Sequence, residues 1–381
     1  MNEKLQRKAA SIHALRERAR RRLPKYVFEY VAGGCITDCA VRANRESLEN
    51  LKLHPRYLGT AAQLDTKCDL LDREYNLPMG IAPIGLSGLI WPRSGEYLAR
   101  AAKQANIPFV LSTVGTTSIE TAARHAEENF WFQIYPPPDD TIRLDLVKRT
   151  REVGCTHLVV TVDVPALGRR PRDLQNGIAI PPKLNVRTLL QTAMRPTWSL
   201  ATLATGMPQF ANLDPYLGDI KGMKNRAYYI RSVLKDVVDG DLLKRMRDEW
   251  PHKLIVKGIL TAEDARTAVE LGADAVWISN HGGRQLDPAA GAVSVVREVA
   301  ANVGKEVPVL ADSGVESGTD IVRFLSQGAN MVFAGRSFMY GVAAFGQPGA
   351  EHAIDILSAE LEQTLSQLGC ANPSEAIQRL A

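Results

Sequence analysis

Residues 277–287, WISNHGGRQLD, lead an apolar run into Asn280 and then set His281 and Arg284 three residues apart across two glycines. An imidazole is the side chain best suited to exchange a proton near neutral pH, and the planar fork of arginine matches a carboxylate. Asp163 can hold the imidazole in one tautomer and stabilise its protonated form, and Arg170, in ALGRRPRD, offers a second fork. Together these residue types describe a device that takes a proton from a small carboxylate. Each also has a plain structural reading when taken alone: Asp163 as a helix cap, Lys257 as the partner of a carboxylate, Gln133 as the partner of a backbone group.

The elements that must position them are short apolar runs separated by helix-like segments. The runs are 78–84, 108–113, 130–135, 157–163, 253–258, 275–279, 307–312 and 331–335, and they are rich in β-branched and aromatic residues. Between them lie stretches such as GEYLARAAKQANI and TAEDARTAVELGA, apolar at helical spacing and bounded by Ser/Thr/Asp starts and Gly stops. Continuously apolar strands alternating with helices predict a parallel sheet covered on both faces. Repeated eight times, the pattern fits an α/β fold of the closed (β/α)8 TIM-barrel type better than an open sheet.

The expected organisation is a single domain over 1–381: an N-terminal helical segment at 1–76, a barrel at 77–372 and a long loop insertion after strand four at about 171–238. The insertion is rich in Pro, Gly and apolar residues and far longer than an ordinary connection. It reads as a lid, a partner surface, a membrane-facing segment or a self-packed loop.

In such barrels the site forms at the C-terminal strand ends. Those ends carry Pro83, Ile84 and Gly85; Ser112; Gln133 and Tyr135; Thr161 and Asp163; Lys257; Ser279 to Arg284; Asp312 and Ser313; Gly335 and Arg336. Polar groups converging on one mouth cost packing that a ligand explains. The last two strands run into DSGVESG and GR, Gly-rich turns whose amides, with Gly314 and Arg336, suit a phosphate. Neither GxGxxG after the first strand nor GxxxxGK[ST] occurs, so no Rossmann site or P-loop is indicated.

Composition sets the outer bounds. With 45% hydrophobic and 23% charged residues and a net charge of +4, the chain is an ordinary globular protein and not a dedicated nucleic-acid binder. The basic run at 15–25, LRERARRRLPK, is either a solvated helix face or an attraction to an anionic membrane surface. Five cysteines, at 35, 39, 68, 155 and 370, suggest a reducing compartment without a disulfide framework, and their spacing offers no metal site. Neither a secretory leader nor an apolar membrane span is expected.

SNHGGRQLD, with VKG and AEDA, TVD and LGRR, WFQIY, and LPKYVFEYVAGG, resembles the FMN-dependent 2-hydroxy acid dehydrogenases and oxidases, from about residue 20 to 372. The resemblance implies His281 as the base, oriented by Asp163. It gives Arg170 and Arg284 the substrate carboxylate, and Tyr30 and Tyr135 hydrogen bonds to the carboxylate and hydroxyl. Pro83, Ile84, Gly85, Ser112, Gln133, Thr161, Lys257 and Ser279 would hold or border the flavin, with Lys257 beside its N1–C2 carbonyl edge. The stretch from Asp312 through Ser313, Gly314 and Gly335 to Arg336 would take the ribityl phosphate.

Two positions depart from the pattern: Glu316 stands where many relatives carry a basic residue, and Ile84 replaces a frequent threonine. Gly85 resembles mandelate dehydrogenase, whereas oxidases of the family usually have alanine there. That implies transfer of electrons to a quinone or another carrier, with oxygen as the alternative acceptor. Gly85, Trp91 and Pro136 are expected near the substrate side chain. The insertion resembles that of membrane-associated lactate dehydrogenases, so a cytoplasmic protein, peripheral on the inner face of the cell membrane and homotetrameric, is implied. A non-catalytic phosphate-binding barrel is the remaining alternative.

Overall fold

A computed structural model describes residues 2–58, 63–177, 186–218 and 237–380. Two short strands, β1 (Cys68–Leu70) and β2 (Arg73–Tyr75), form an antiparallel hairpin, and eight further strands close a parallel barrel. These are β3 (Met79–Ile81), β4 (Phe109–Ser112), β5 (Phe130–Ile134), β6 (His157–Thr161), β7 (Lys253–Ile259), β8 (Ala275–Ile278), β9 (Val309–Ala311) and β10 (Met331–Ala334). Closure comes from β10 pairing with β3, Val332 opposite Met79 and Ala334 opposite Ile81. The (β/α)8 TIM barrel expected from the apolar runs is the fold observed.

Strand residues alternate between two cores, as a two-residue period requires. Val110, Trp131, Val159, Ile255, Trp277, Leu310 and Phe333 fill the barrel interior, while their strand neighbours pack outward on the helices. The hairpin belongs to the inner core: Leu70 and Tyr75 plug the barrel floor, where the Tyr75 hydroxyl accepts from Trp131 Nε1 at 3.2 Å. The N-terminal helical segment expected at 1–76 thus carries this hairpin after its helices. The hairpin turns on Leu71 and Asp72, both at positive φ, without the Asn-Gly or Asp-Gly pair that would mark it in sequence.

The inward row, continued two residues beyond each apolar residue, reaches the mouth. Ser112, Gln133, Thr161, Lys257, Ser279, Asp312 and Gly335 all share the parity of the interior side chains. On β7 the register slips between Lys257 and Ile259. Gly258, at φ 109°, makes the slip, and a Cβ there would meet the Asp163 side chain at 2.7 Å. Only glycine lets Asp163 sit against this strand.

N-terminal helices cover the mouth and one flank. The helix Ile12–Arg22, capped by Ser11, buries Ile12, Leu15 and Ala19 and packs on Arg336–Phe345, the helix that follows β10. Its basic run is divided in use. Arg18 lies 4.4 Å from the Phe345 ring and Arg22 4.6 Å from the Trp91 ring, both also donating to the Ala344 carbonyl, while Arg20 and Arg21 face solvent. In the insertion, helices Val186–Ala193 and Pro196–Thr205 are described, and the segments 178–185 and 219–236 lie outside the described residues. Trp198 anchors the second helix, its Nε1 donating to the carbonyls of Leu89 and Ile90 at 3.2 and 3.1 Å.

Candidate active site

A cavity of about 680 Å³ opens at the C-terminal mouth of the barrel. Tyr30, Pro83, Ile84, Gly85, Tyr135 and Thr161 line it, with Arg170, Lys257, His281, Arg284, Asp312, Ser313, Gly314, Gly335 and Arg336. Ser112, Gln133 and Ser279 stand one layer behind, as does Asp163, and Trp91 and Pro136 lie away from the wall.

The turn after β8 explains most of its sequence. His281, Gly282 and Gly283 all have positive φ, at 59°, 64° and 74°, an arrangement costly for histidine and easy for the glycines. Asn280 holds the turn through reciprocal side-chain amide bonds with Asn44 at 2.8 and 2.9 Å and accepts from the Gly283 amide at 3.1 Å. Gln285 donates to the Asp163 carbonyl, and Asp287 accepts from Thr37 Oγ1 at 2.6 Å and from the Cys39 amide, tying the N-terminal segment to the loop. Asn44 was not marked by sequence spacing, since it comes from a helix 236 residues away.

His281 stands between two partners. Its Nδ1 is 3.0 and 3.1 Å from the two Asp163 oxygens, and its Nε2 is 3.3 Å from the Tyr135 hydroxyl. Burial alone would raise the Asp163 carboxyl, but the His281 charge and hydrogen bond, with Lys257 beyond, hold it below the ordinary range. A carboxylate there accepts a hydrogen bond from Nδ1–H and leaves the Nε2 lone pair facing the cavity side. The Tyr135 phenol is driven far upward by burial and then by Asp163, so it stays protonated and can donate.

Opposite lie two arginines. Arg284 donates to the carbonyls of Tyr30 and Gly33 at 2.7 and 3.0 Å and stacks 5.0 Å over the Tyr30 ring. Burial first and Arg170 second bring its pKa down to about 9. Arg170 is only 3.9 Å from Asp173, and its Nε is buried without a partner. Two close cations, one with an idle donor, make a receptor for an anion.

Lys257 anchors the cavity floor. Its ammonium is 2.9 Å from Asp312 and donates to Ser279 Oγ at 2.7 Å; the same oxygen accepts from the His281 amide at 3.0 Å. Ser112 donates to Gln133 Oε1 at 2.9 Å, leaving Gln133 Nε2 buried without a partner, and Thr161 Oγ1 is likewise unpaired. Idle buried polar atoms beside a large cavity fit a polar, planar ligand such as the flavin ring. Ser313 and Gly314, both at φ 85°, and the start of Arg336–Phe345 form a turn and helix start of the kind that suits a phosphate. Arg336 is turned partly from that end: it donates to the carbonyls of Val31, Gly33 and Gly282 at 2.8–2.9 Å, using three of its five N–H bonds.

Comparison with known proteins places the chain in a family. Residues 19–380 match the family model described as FMN-dependent dehydrogenase. The chain is 38% identical to (S)-mandelate dehydrogenase of Pseudomonas putida over 94% of this chain and 90% of that one. It is 36% identical to an L-lactate dehydrogenase of Caulobacter sp. (strain K31), over 93% of each. Among solved structures, the monotopic membrane protein (S)-mandelate dehydrogenase superposes with a TM-score of 0.92 at 37% identity, covering 97% of this chain and 98% of that one. The chain belongs to the FMN-dependent 2-hydroxy acid dehydrogenase family.

Proposed function

We propose that the chain oxidises an L-2-hydroxy acid with an apolar side chain, lactate- or mandelate-like, to the 2-oxo acid and passes the electrons to a quinone or another carrier at a membrane. The observation that carries the reading is the Asp163–His281–Tyr135 line facing the Arg170–Arg284 pair across one cavity. FMN supplies the two-electron acceptor.

The two arginines and Tyr30 hold the substrate carboxylate, which fixes the 2-carbon relative to His281. Tyr135 donates toward the substrate hydroxyl, and His281 Nε2 receives the proton. Asp163 stabilises the imidazolium that results. Ser112, Gln133, Thr161, Lys257 and Ser279 hold the cofactor ring, and the Lys257 charge favours the negative charge that develops on reduction. Leu174, Val114, Leu86 and Phe210 make the apolar wall that receives the substrate side chain.

Membrane contact is assigned to the insertion. Leu189, Leu190, Leu200, Leu203 and Met207 are 58–80% exposed, which is unusual for neighbouring large apolar side chains. No helix among the described residues is long and apolar enough to cross a membrane, so the contact would be peripheral.

The test is flavin absorbance recorded without oxygen while glycolate, lactate, mandelate and longer 2-hydroxy acids are offered in turn. At least one is expected to bleach the flavin; none doing so, with flavin bound, would sink the reading.

A further inference from the structure

The phosphate end of the cavity has a charge problem that the barrel does not solve. Glu316 lines it beside Gly314 and Val315, in the loop that should cradle an anion. Against a phosphate dianion this carboxylate is repulsive and cancels one nearby cation.

Two arginines nearby are already committed. Arg45 lines the same wall, but it pairs with Asp320 at 2.7 Å and Glu49 at 3.4 Å and donates to the Gly314 carbonyl. Asp320 is shared with Arg323 at 2.8 Å, so this group of two arginines and two carboxylates is neutral as a whole. Arg336 remains charged and is offset by Glu316.

Arg16 alters the balance. It reaches the cavity from the N-terminal helix Ile12–Arg22, far outside the barrel in sequence. Its guanidinium lies 5.9 Å from the Phe28 ring, which stacks on Tyr340 at 6.3 Å, and its charge acts on the Tyr340 phenol. Tyr340 is buried in the field of Arg336, Arg16 and Glu316 together, which sets all three charges around one side chain. The adjacent carboxylate, Glu17, is taken by Arg20 at 2.8 Å. Among the described residues no carboxylate lies within ion-pair distance of Arg16.

We propose that Arg16 is the cation that neutralises the FMN phosphate in this chain, compensating for Glu316 from a helix outside the barrel. The assignment rests on the FMN reading and makes the N-terminal helix part of the cofactor site. It predicts selectivity for the phosphorylated flavin, because the contact concerns the phosphate and not the ring.

The test uses flavin-stripped full-length protein titrated with FMN and, separately, with riboflavin, following flavin fluorescence. Arg16→Gln should weaken FMN binding about tenfold or more, the scale of a lost charge-assisted contact, and leave riboflavin affinity unchanged. Glu316→Gln should tighten FMN binding and again leave riboflavin unchanged. Equal weakening of both flavins in Arg16→Gln, no change in either, or no FMN gain in Glu316→Gln would overturn the proposal. Wild-type protein binding neither flavin would instead overturn the FMN reading on which it rests.

Discussion

His281 and Asp163, 118 residues apart in sequence, meet with both carboxylate oxygens within 3.1 Å of the imidazole Nδ1. Gly258 makes the meeting sterically open, and Gln285 fixes the Asp163 backbone, so the pair is held from two strands at once. The same geometry decides which imidazole nitrogen is free to take a proton.

The first prediction separates the two members. His281→Gln should keep the flavin spectrum and lose substrate reduction. Asp163→Asn should keep both the fold and the colour while lowering the reductive rate by roughly 10²–10⁴, the range for a base deprived of its orienting carboxylate. Stopped-flow bleaching under anaerobic conditions checks both. A rate within threefold of wild type for Asp163→Asn would remove the carboxylate from the proton transfer.

The pair also has a pH signature. Because the folded Asp163 carboxyl titrates below its ordinary value, its ionisation stabilises the folded state above the unfolded pKa. That contribution is lost as pH falls through the folded value. Thermal melting followed downward from neutral pH should therefore show a steeper acid decline in wild type than in Asp163→Asn.

The arginine pair predicts a ligand effect. Burial and Arg170 penalise the charged form of Arg284, and a bound carboxylate relieves that penalty. Oxalate or a 2-oxo acid should raise the melting temperature of the wild-type holoenzyme. Arg284→Met should melt higher than wild type without ligand, having lost a buried charge, and gain little from the anion. Equal anion stabilisation in both proteins would place the carboxylate elsewhere.

How much of this was readable in the sequence follows from the period of a strand. Val110 to Ser112, Trp131 to Gln133, Val159 to Thr161 and Ile255 to Lys257 are each one inward step followed by the next, so a strand's end announces which polar residue turns to the mouth. Residues that arrive from outside the barrel carry no such mark. Asn44, Arg16 and Phe210 reach the site only because their helix or loop packs there, and no local spacing encodes that packing. Tyr30 came from family resemblance alone. Arg336 was legible as a cation at a strand end, but not its turn toward the carbonyls of Val31 and Gly33, which belong to the helix Lys25–Ala32 and its exit.

Gly85 offers a test of the acceptor. An added Cβ would lie 2.8 Å from Val114 Cγ2, so Gly85→Ala forces Val114 to shift and narrows the cavity wall. A bulky carrier is hindered by this more than oxygen is. Reoxidation of the reduced enzyme by a quinone analogue should slow several-fold relative to reoxidation by oxygen, measured by double-mixing stopped flow. An unchanged ratio would show that the carrier does not approach along this wall.

The helix Pro196–Thr205 gives the last prediction because its two sides do different work. Trp198, 4% exposed and edge-on to Tyr26 at 6.2 Å, ties it to the residues around Leu89 and Ile90, whereas Leu200 and Leu203, 66% and 80% exposed, point away. If the outer side enters a membrane surface, Leu200→Glu with Leu203→Glu should reduce cosedimentation with anionic vesicles by tenfold or more, since burial of each leucine contributes roughly 1.5–3 kcal/mol. Turnover of soluble substrate with an artificial acceptor should stay near wild type. Trp198→Ala acts on the inner side, leaving Leu200 and Leu203 in place but freeing the helix from the wall beside Ile90, which lines the cavity. Its expected signature is a raised KM with faster proteolysis of the insertion. Should the double leucine variant bind vesicles as well as wild type, the membrane contact would have to be sought on another surface, and the exposed Arg20 and Arg21 would be the next residues to change.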